Sequence, residues 1–287
     1  MKKFKIKSFC KINLSLRVFE KKNNKHHPIR SIITFCGLYD LICVHKIPGL
    51  TDQIIFSGKF KNNINYQSNT VTKLLSQLRA RNFLKKQVFK INIKKNIPQG
   101  SGLGGGSSNA ATLLNFFNKK MKLKLNKNKI HNIARQVGFD VPIILKKRNT
   151  LLTGKKDEMI RLNKKFNLNM LIVYPNVICS TKKIYKNNKK FTIANTQSKI
   201  FTKNKHKLMH HLINETNDLE EAVLNSYPKV GKLIDFLKIQ KGCYFSRITG
   251  SGSACIGIFS DIKSAILTKK LIKLKFPNYW SAVSKSI

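Results

Sequence analysis

Five glycines lie within seven residues, at Gly100, Gly102, Gly104, Gly105 and Gly106, and Ser107, Ser108 and Asn109 follow them directly. Phe89, Ile91 and Ile93 alternate before the run, as in a strand that ends at Pro98. After it, Ala110, Leu113, Leu114 and Phe117 fall at helical spacing. A glycine-rich turn between a strand and a helix exposes backbone N–H groups at a helix N-terminus, where aligned peptide dipoles add partial positive charge. The chemistry this suits is phosphate binding. Ser107 and Ser108 are expected at the helix cap, with hydroxyls able to reach a phosphate or its metal. Because glycine loses the most conformational freedom on ordering, such density implies a ligand or a backbone held close.

Three familiar phosphate sites do not fit. A P-loop needs Gly-Lys followed by Ser or Thr, and no Lys stands in this loop. Gly100, Gly102 and Gly105 match the glycine spacing of a dinucleotide fingerprint, but that fold needs an acid about 20 residues further on to hold the ribose. None occurs between Asp52 and Asp140. A protein-kinase loop would be followed by His-Arg-Asp and Asp-Phe-Gly segments, which are absent.

The elements that must position the loop can be read from periodicity. Ile12, Leu14, Leu16 and Val18 alternate, predicting a half-buried strand with Asn13, Ser15 and Arg17 on its other face and Lys11 in register with Asn13. Strands are also predicted over 32–47, 54–56, 169–173 and 243–249, and helices over 71–83, 219–239 and 262–274. Ile130, Ile133, Ala134 and Val137 predict a helix stopped by Gly138, with Asp140 and Pro142 just beyond. The lysine-rich stretch over 182–207 reads as a variable surface region.

Composition narrows the class. The chain has 287 residues with 56 Lys plus Arg against 12 Asp plus Glu, a formal charge of +44. Only eight of the cations are Arg, and Lys rises together with Asn, in runs such as 21–25 and 186–190, as AT-rich codons would produce. Aromatic residues are not interleaved with this charge, so a lysine-driven RNA-binding protein is the weaker, non-enzyme reading, and no specific nucleic-acid partner is expected. A 41% hydrophobic fraction suffices for a packed core. Six cysteines without metal or redox spacing read as reduced thiols of a cytoplasmic protein. His26 and His27 are adjacent, but no third ligand nearby makes them a metal site. Neither a signal peptide nor a membrane span is predicted.

The segment Pro98 to Ala111 resembles the phosphate-binding motif of the GHMP small-molecule kinases. Lys11-Ile12-Asn13-Leu14, Gly138 to Pro142, Asn217 to Glu220 and Arg247 to Ala254 resemble further segments of that family, in the same order along the chain. The resemblance implies an α+β, two-lobed fold: an N-terminal lobe like ribosomal protein S5 domain 2, over 1–155, and a ferredoxin-like C-terminal lobe, over 156–287, with the active site in the cleft. It implies ATP and Mg²⁺ as cofactors. The triple-Gly-Ser-Ser-Asn-Ala-Ala ending is similar to the branch that phosphorylates the 2-hydroxyl of a cytidine diphosphate-linked methylerythritol in isoprenoid precursor synthesis. A homoserine or mevalonate type of kinase is the alternative within the family.

By the same resemblance, Asp140 is the catalytic base and Lys11 its partner. The residue reading alone allows Asp140 to be a helix cap instead. Asn69, Lys95, Pro98, Gly100, Gly102, Gly104, Gly105, Gly106, Ser107, Ser108 and Asn109 form the nucleotide side, with Ser107 the candidate contact to Mg²⁺. Asn13, His26, His27, Thr181 and Tyr185 form the acceptor side, together with Thr249, Gly250, Ser251 and Gly252. His26-His27 departs from the family's usual Tyr-His, and imidazole stacks on cytosine with less area than phenol. The oligomeric state is open, a homodimer among the options.

Overall fold

The computed structural model describes residues 2–21, 27–62, 64–154, 158–193 and 205–287. His26 lies outside them. The chain forms two compact units, one of residues 1–11, 38–99 and 104–147, the other of residues 12–37, 100–103 and 148–287. Both are discontinuous in sequence, unlike the single division after residue 155 expected above. The reason is that two long strands, β1 (Phe4–Asn13) and β3 (Ile29–Ile47), each contribute residues to both units.

In the first unit, β4 (Gln53–Ser57) and β5 (Val88–Lys94) pair in parallel, from Gln53 opposite Lys90 to Ser57 opposite Lys94. A parallel pair needs a crossover, and helix α1 (Thr70–Ala80) supplies it. β5 also pairs antiparallel with β3, from Leu41 opposite Lys94 to Ile47 opposite Val88. The alternation read in the sequence holds, since Phe89, Ile91 and Ile93 are buried. Three helices complete the unit: α2 (Gly105–Lys120), α3 (Lys127–Val137) and the short α4 (Val141–Ile144). α1 buries Val71, Leu74, Leu75 and Leu78, and α2 buries Leu113, Leu114 and Phe117. Phe117 meets Phe89 edge-on with ring centroids 5.0 Å apart, which ties the helix behind the glycine loop to the strand before it. Gly138 caps α3, as its sequence position implies.

The second unit holds β2 (Arg17–Val18), β6 (Thr150–Thr153) and β7 (Met159–Arg161), with β2 and β6 pairing antiparallel to β3 and β7 to β6. After them come β8 (Asn169–Tyr174), α5 (Thr181–Asn187), α6 (Lys205–Asn214), α7 (Glu220–Ser226) and α8 (Pro228–Lys238). The chain ends with β9 (Cys243–Ile248), β10 (Cys255–Phe259), α9 (Ile262–Lys275) and β11 (Trp280–Lys285). β8 to β11 form a four-stranded antiparallel sheet in the order β11-β8-β10-β9. Helices precede β9 and follow β10, which is the split βαβ pattern of a ferredoxin-like unit.

Three expectations are corrected. The strand predicted over 12–18 begins earlier, at Phe4, and breaks after Asn13. Nor is it half-buried: Asn13 and Ser15 are buried, their polar atoms bonded to Ser31 and Ile32. The helix predicted over 219–239 is two helices, because Pro228 offers no N–H to continue the ladder and begins α8 instead. The lysine-rich stretch is not all surface, since α5 buries Ile184, and Tyr185 and Phe191 pack against the core of the second unit.

Among the described residues, no helix is long and apolar enough to cross a membrane. Phe117→Ala should destabilise the first unit by about 3–5 kcal/mol, the usual range for truncating a buried Phe, as measured by urea unfolding.

Candidate active site

Positive φ alternates along the glycine loop, at Gly100 (61°), Gly102 (79°) and Gly104 (66°). Alternation of this kind turns successive N–H groups toward one side, the geometry of an anion-binding nest. Gly104 is itself the N-cap of α2, and no side chain caps the helix. Ser107 and Ser108 therefore do not cap; they lie inside the first turn, because a left-handed glycine can start the helix earlier than a serine could. Ser107 is half-buried, whereas Ser108 is fully buried and its hydroxyl has no hydrogen-bond partner.

The glycines also answer to close protein neighbours. A Cβ on Gly102 would lie 2.0 Å from the carbonyl oxygen of Thr249, and one on Gly100 would lie 2.6 Å from Ile178. On Gly104 it would lie 2.8 Å from Cγ of Lys11, and on Gly105 2.9 Å from Ile97. Only Gly106 is exposed, with the Thr70 hydroxyl 3.1 Å from its Cβ position; that hydroxyl donates to the Gly106 carbonyl at 2.7 Å. The density of glycine thus serves packing as well as a ligand.

Lys11, on β1, runs beside Gly104 and brings its ammonium to 3.4 Å from Oδ2 of Asp140. The lysine side chain is 6% exposed and the aspartate 36%. A buried cation facing a partly open carboxylate suits an acid that must take a proton from a bound hydroxyl. Asp140 precedes α4 in helical backbone and makes no capping bond, which removes the helix-cap alternative.

Three expected nucleotide contacts are engaged by the protein itself. Asn69 caps α1, accepting from the N–H groups of Val71 and Thr72, and its amide donates to the carbonyls of Asn65 and Tyr66. Lys95 is 4% exposed and its ammonium donates to the carboxylate of Asp40, which also accepts from the Asn109 amide at 3.1 Å. Asp40 carried no sequence signal, standing as a lone acid within a long strand. Pro98 is buried beside them in the chain.

In the second unit, the glycine segment Thr249 to Gly252 has positive φ at Gly250 and Gly252. The Thr249 hydroxyl accepts from the Asn13 backbone N–H at 2.9 Å, and the hydroxyls of Ser251 and Thr181 are 2.9 Å apart. The motif at Asn217 to Glu220 now has a role: the Asn217 amide donates to the carbonyls of Ile248 and Gly250, and Glu220 accepts from the Ile248 N–H. Arg247, near the end of β9, donates to the carbonyls of Leu14 and Leu212. Burial lowers its pKa to about 10, against the opposing pull of Glu220 and Glu215, and at neutral pH it keeps its charge. Cys179 lies against Gly252, and burial pushes its thiol up to about 11, so it is no nucleophile.

His27 and Tyr185 come together with near-parallel rings, 28° between planes and 6.2 Å between centroids. Phe191, not anticipated from the sequence, also stacks on the His27 ring, at 5.2 Å between centroids and 20° between planes. The imidazole Nδ1 lies 3.0 Å from the Phe19 carbonyl, which can only accept, so Nδ1 donates in that bond. Among the described residues, no group of three or more His, Cys, Asp or Glu could hold a metal ion.

Two family models match the chain: the GHMP kinases N terminal domain over residues 69–148, and the GHMP kinases C terminal domain over residues 198–273. The chain belongs to the GHMP kinase family. Its relatives include 4-diphosphocytidyl-2-C-methyl-D-erythritol kinase of Pelagibacter ubique, 37% identical over 289 residues that span 100% of both chains. The kinase of the same name from Caldicellulosiruptor bescii is 33% identical over 94% of each. In fold the chain is similar to a crystal structure of 4-(cytidine 5'-diphospho)-2C-methyl-D-erythritol kinase, with a TM-score of 0.79 at 20% identity, covering 98% of this chain and 99% of that one.

Gly104→Ala should displace Lys11 from Asp140 and lower turnover on the order of 10²-fold, the effect of an ångström-scale misplacement at a reacting centre. The left-handed φ adds a stability loss of about 1–2 kcal/mol. Steady-state kinetics and thermal unfolding of the variant check both.

Proposed function

We propose that this chain transfers the γ-phosphoryl group of ATP to the 2-hydroxyl of 4-diphosphocytidyl-2-C-methyl-D-erythritol, a cytoplasmic step of isoprenoid precursor synthesis. The Lys11–Asp140 pair beside Gly104 carries the chemical half of this reading. The full-length relatives bearing that kinase's name support the choice of acceptor.

Phosphoryl transfer asks the protein for positioning, charge stabilisation and a proton acceptor. The backbone N–H groups of the loop and the uncapped start of α2 hold the nucleotide phosphates. The acceptor oxygen attacks the γ-phosphorus as its proton passes to Asp140, and the bond from that phosphorus to the bridging oxygen of the departing ADP breaks. Lys11 orients Asp140 and offsets its charge until the proton arrives. Mg²⁺, when bound, neutralises charge developing on the phosphates. Because no group of three or more His, Cys, Asp or Glu among the described residues could hold a metal, phosphate oxygens and water would supply most of its ligands. The hydroxyl of Ser107 is the protein group we assign to it.

The cytosine end falls to His27 and to the faces of Tyr185 and Phe191. Thr249 to Gly252 and the Thr181 hydroxyl complete the acceptor side.

ADP release should be seen with the cytidylated substrate and not with homoserine or mevalonate assayed in parallel; turnover with none of them would sink the proposal. Asp140→Asn should leave ATP affinity unchanged in calorimetry while turnover falls on the order of 10²–10⁴-fold, the usual worth of a general base.

A further inference from the structure

Asp40 is a buried carboxylate that no part of the mechanism above uses. It stands on β3 with no exposed surface. Oδ1 accepts from the backbone N–H groups of Asn96 at 2.7 Å and Ile97 at 2.9 Å. Oδ2 accepts from the Lys95 ammonium and from the Asn109 amide at 3.1 Å. A carboxylate has about four lone-pair sites, and four donors fill them.

The identity of those donors matters. Lys95, Asn96 and Ile97 follow β5 directly and are separated from Gly100 only by Pro98 and Gln99, and Asn109 is the fifth residue of the helix after the loop. The clamp lies directly under the first turn of α2, because the Gly105 Cβ position is 2.9 Å from Ile97 and 3.4 Å from the Lys95 ammonium. Apart from Asp40, Asn109 has little hold: its own Oδ1 is buried without a partner. We infer that Asp40 is the positioning residue of the phosphate loop, fixing the strand that enters it and the helix that leaves it to one another. Lys95 and Asn109 then serve ATP binding through Asp40. Their heads already face that carboxylate and are shielded from solvent.

Neutral substitution makes the point chemically. Asparagine at this position keeps the shape and one oxygen for the two N–H groups, but turns an NH₂ group toward two other donors. Hydrogen bonds to a charged group are the strong ones, so the helix end should loosen before the strand pairing does.

The test is Asp40→Asn in the full chain, read first by hydrogen exchange without nucleotide. Amides of residues 105–112 should exchange faster while those of α3 stay as in the wild type. ATP affinity by calorimetry should fall on the order of tenfold, the scale of losing one charge-assisted bond, with KM for the acceptor unchanged. Leu78→Ala, which loosens the same unit away from the clamp, should weaken ATP binding far less. Should Asp40→Asn fail to fold, Asn109→Ala cuts only the arm to α2 and should give the same local acceleration in the nucleotide-free protein, which loss of a mere ligand contact would not. Wild-type exchange over 105–112, or acceleration spread equally over α1 and α3, overturns the inference, as does equal ATP weakening by Leu78→Ala. The inference rests on the kinase reading only through ATP binding. Failure of the wild type to phosphorylate the cytidylated acceptor would end that reading and leave the exchange result standing.

Discussion

The absence of a single carbon at Gly104 is the constraint on which the first unit's chemistry depends. Lys11 passes so near this backbone that any Cβ would strike its side chain, and its ammonium goes on to Asp140. The same glycine, held left-handed, starts α2 without a side-chain cap. One residue therefore sets both the course of the Lys11 side chain and the opening of the helix N-terminus. Gly102 carries a parallel burden in the second unit, where its backbone lies against the Thr249 carbonyl. Backbone can approach backbone this closely only where no side chain intervenes.

The charge imbalance acquires a different meaning once the acids are located. A net charge of +44 raises the local potential for polyphosphate ligands, but most of the lysines lie at the surface. The few acids are concentrated where folding needs an anion. Asp40 takes four donors, Asp52 holds Arg79 with a forked pair of bonds, and Asp261 caps α9. Asp218 has no exposed surface and accepts from the Val18 N–H and the Thr192 hydroxyl, and Glu215 pairs with Arg17 and Arg30. Asp140 differs from these in being paired to a buried lysine yet still partly open. That combination, more than scarcity, is what supports the proposal of Asp140 as the proton acceptor.

Elements with strong periodicity were legible in advance. The glycine loop between β5 and α2, the stripe of α2 and the stop at Gly138 all follow from local spacing, because each is decided by backbone sterics within a few residues. Where sequence reading erred, a neighbour distant in the chain had intervened. Asn13 and Ser15 looked solvent-facing by alternation, yet Ser31 and Ile32 cover them. Phe191 lay in a lysine-rich stretch with no pattern of its own, and only folding stacks it on His27.

By itself the sequence determined that a phosphate would be bound, because a glycine turn ahead of an amphipathic helix is a local feature whose physics travels with it; phosphoryl transfer was implied by the resemblance to the GHMP kinases. Only the tertiary structure decided which polar groups are available for it. Lys95 and Asn109 turn toward Asp40, Asn69 turns to its own helix, and His27 meets Tyr185 across 158 residues of chain. A hydrogen bond is made with whatever donor or acceptor folding brings within reach, and that choice depends on long-range packing that no local pattern encodes.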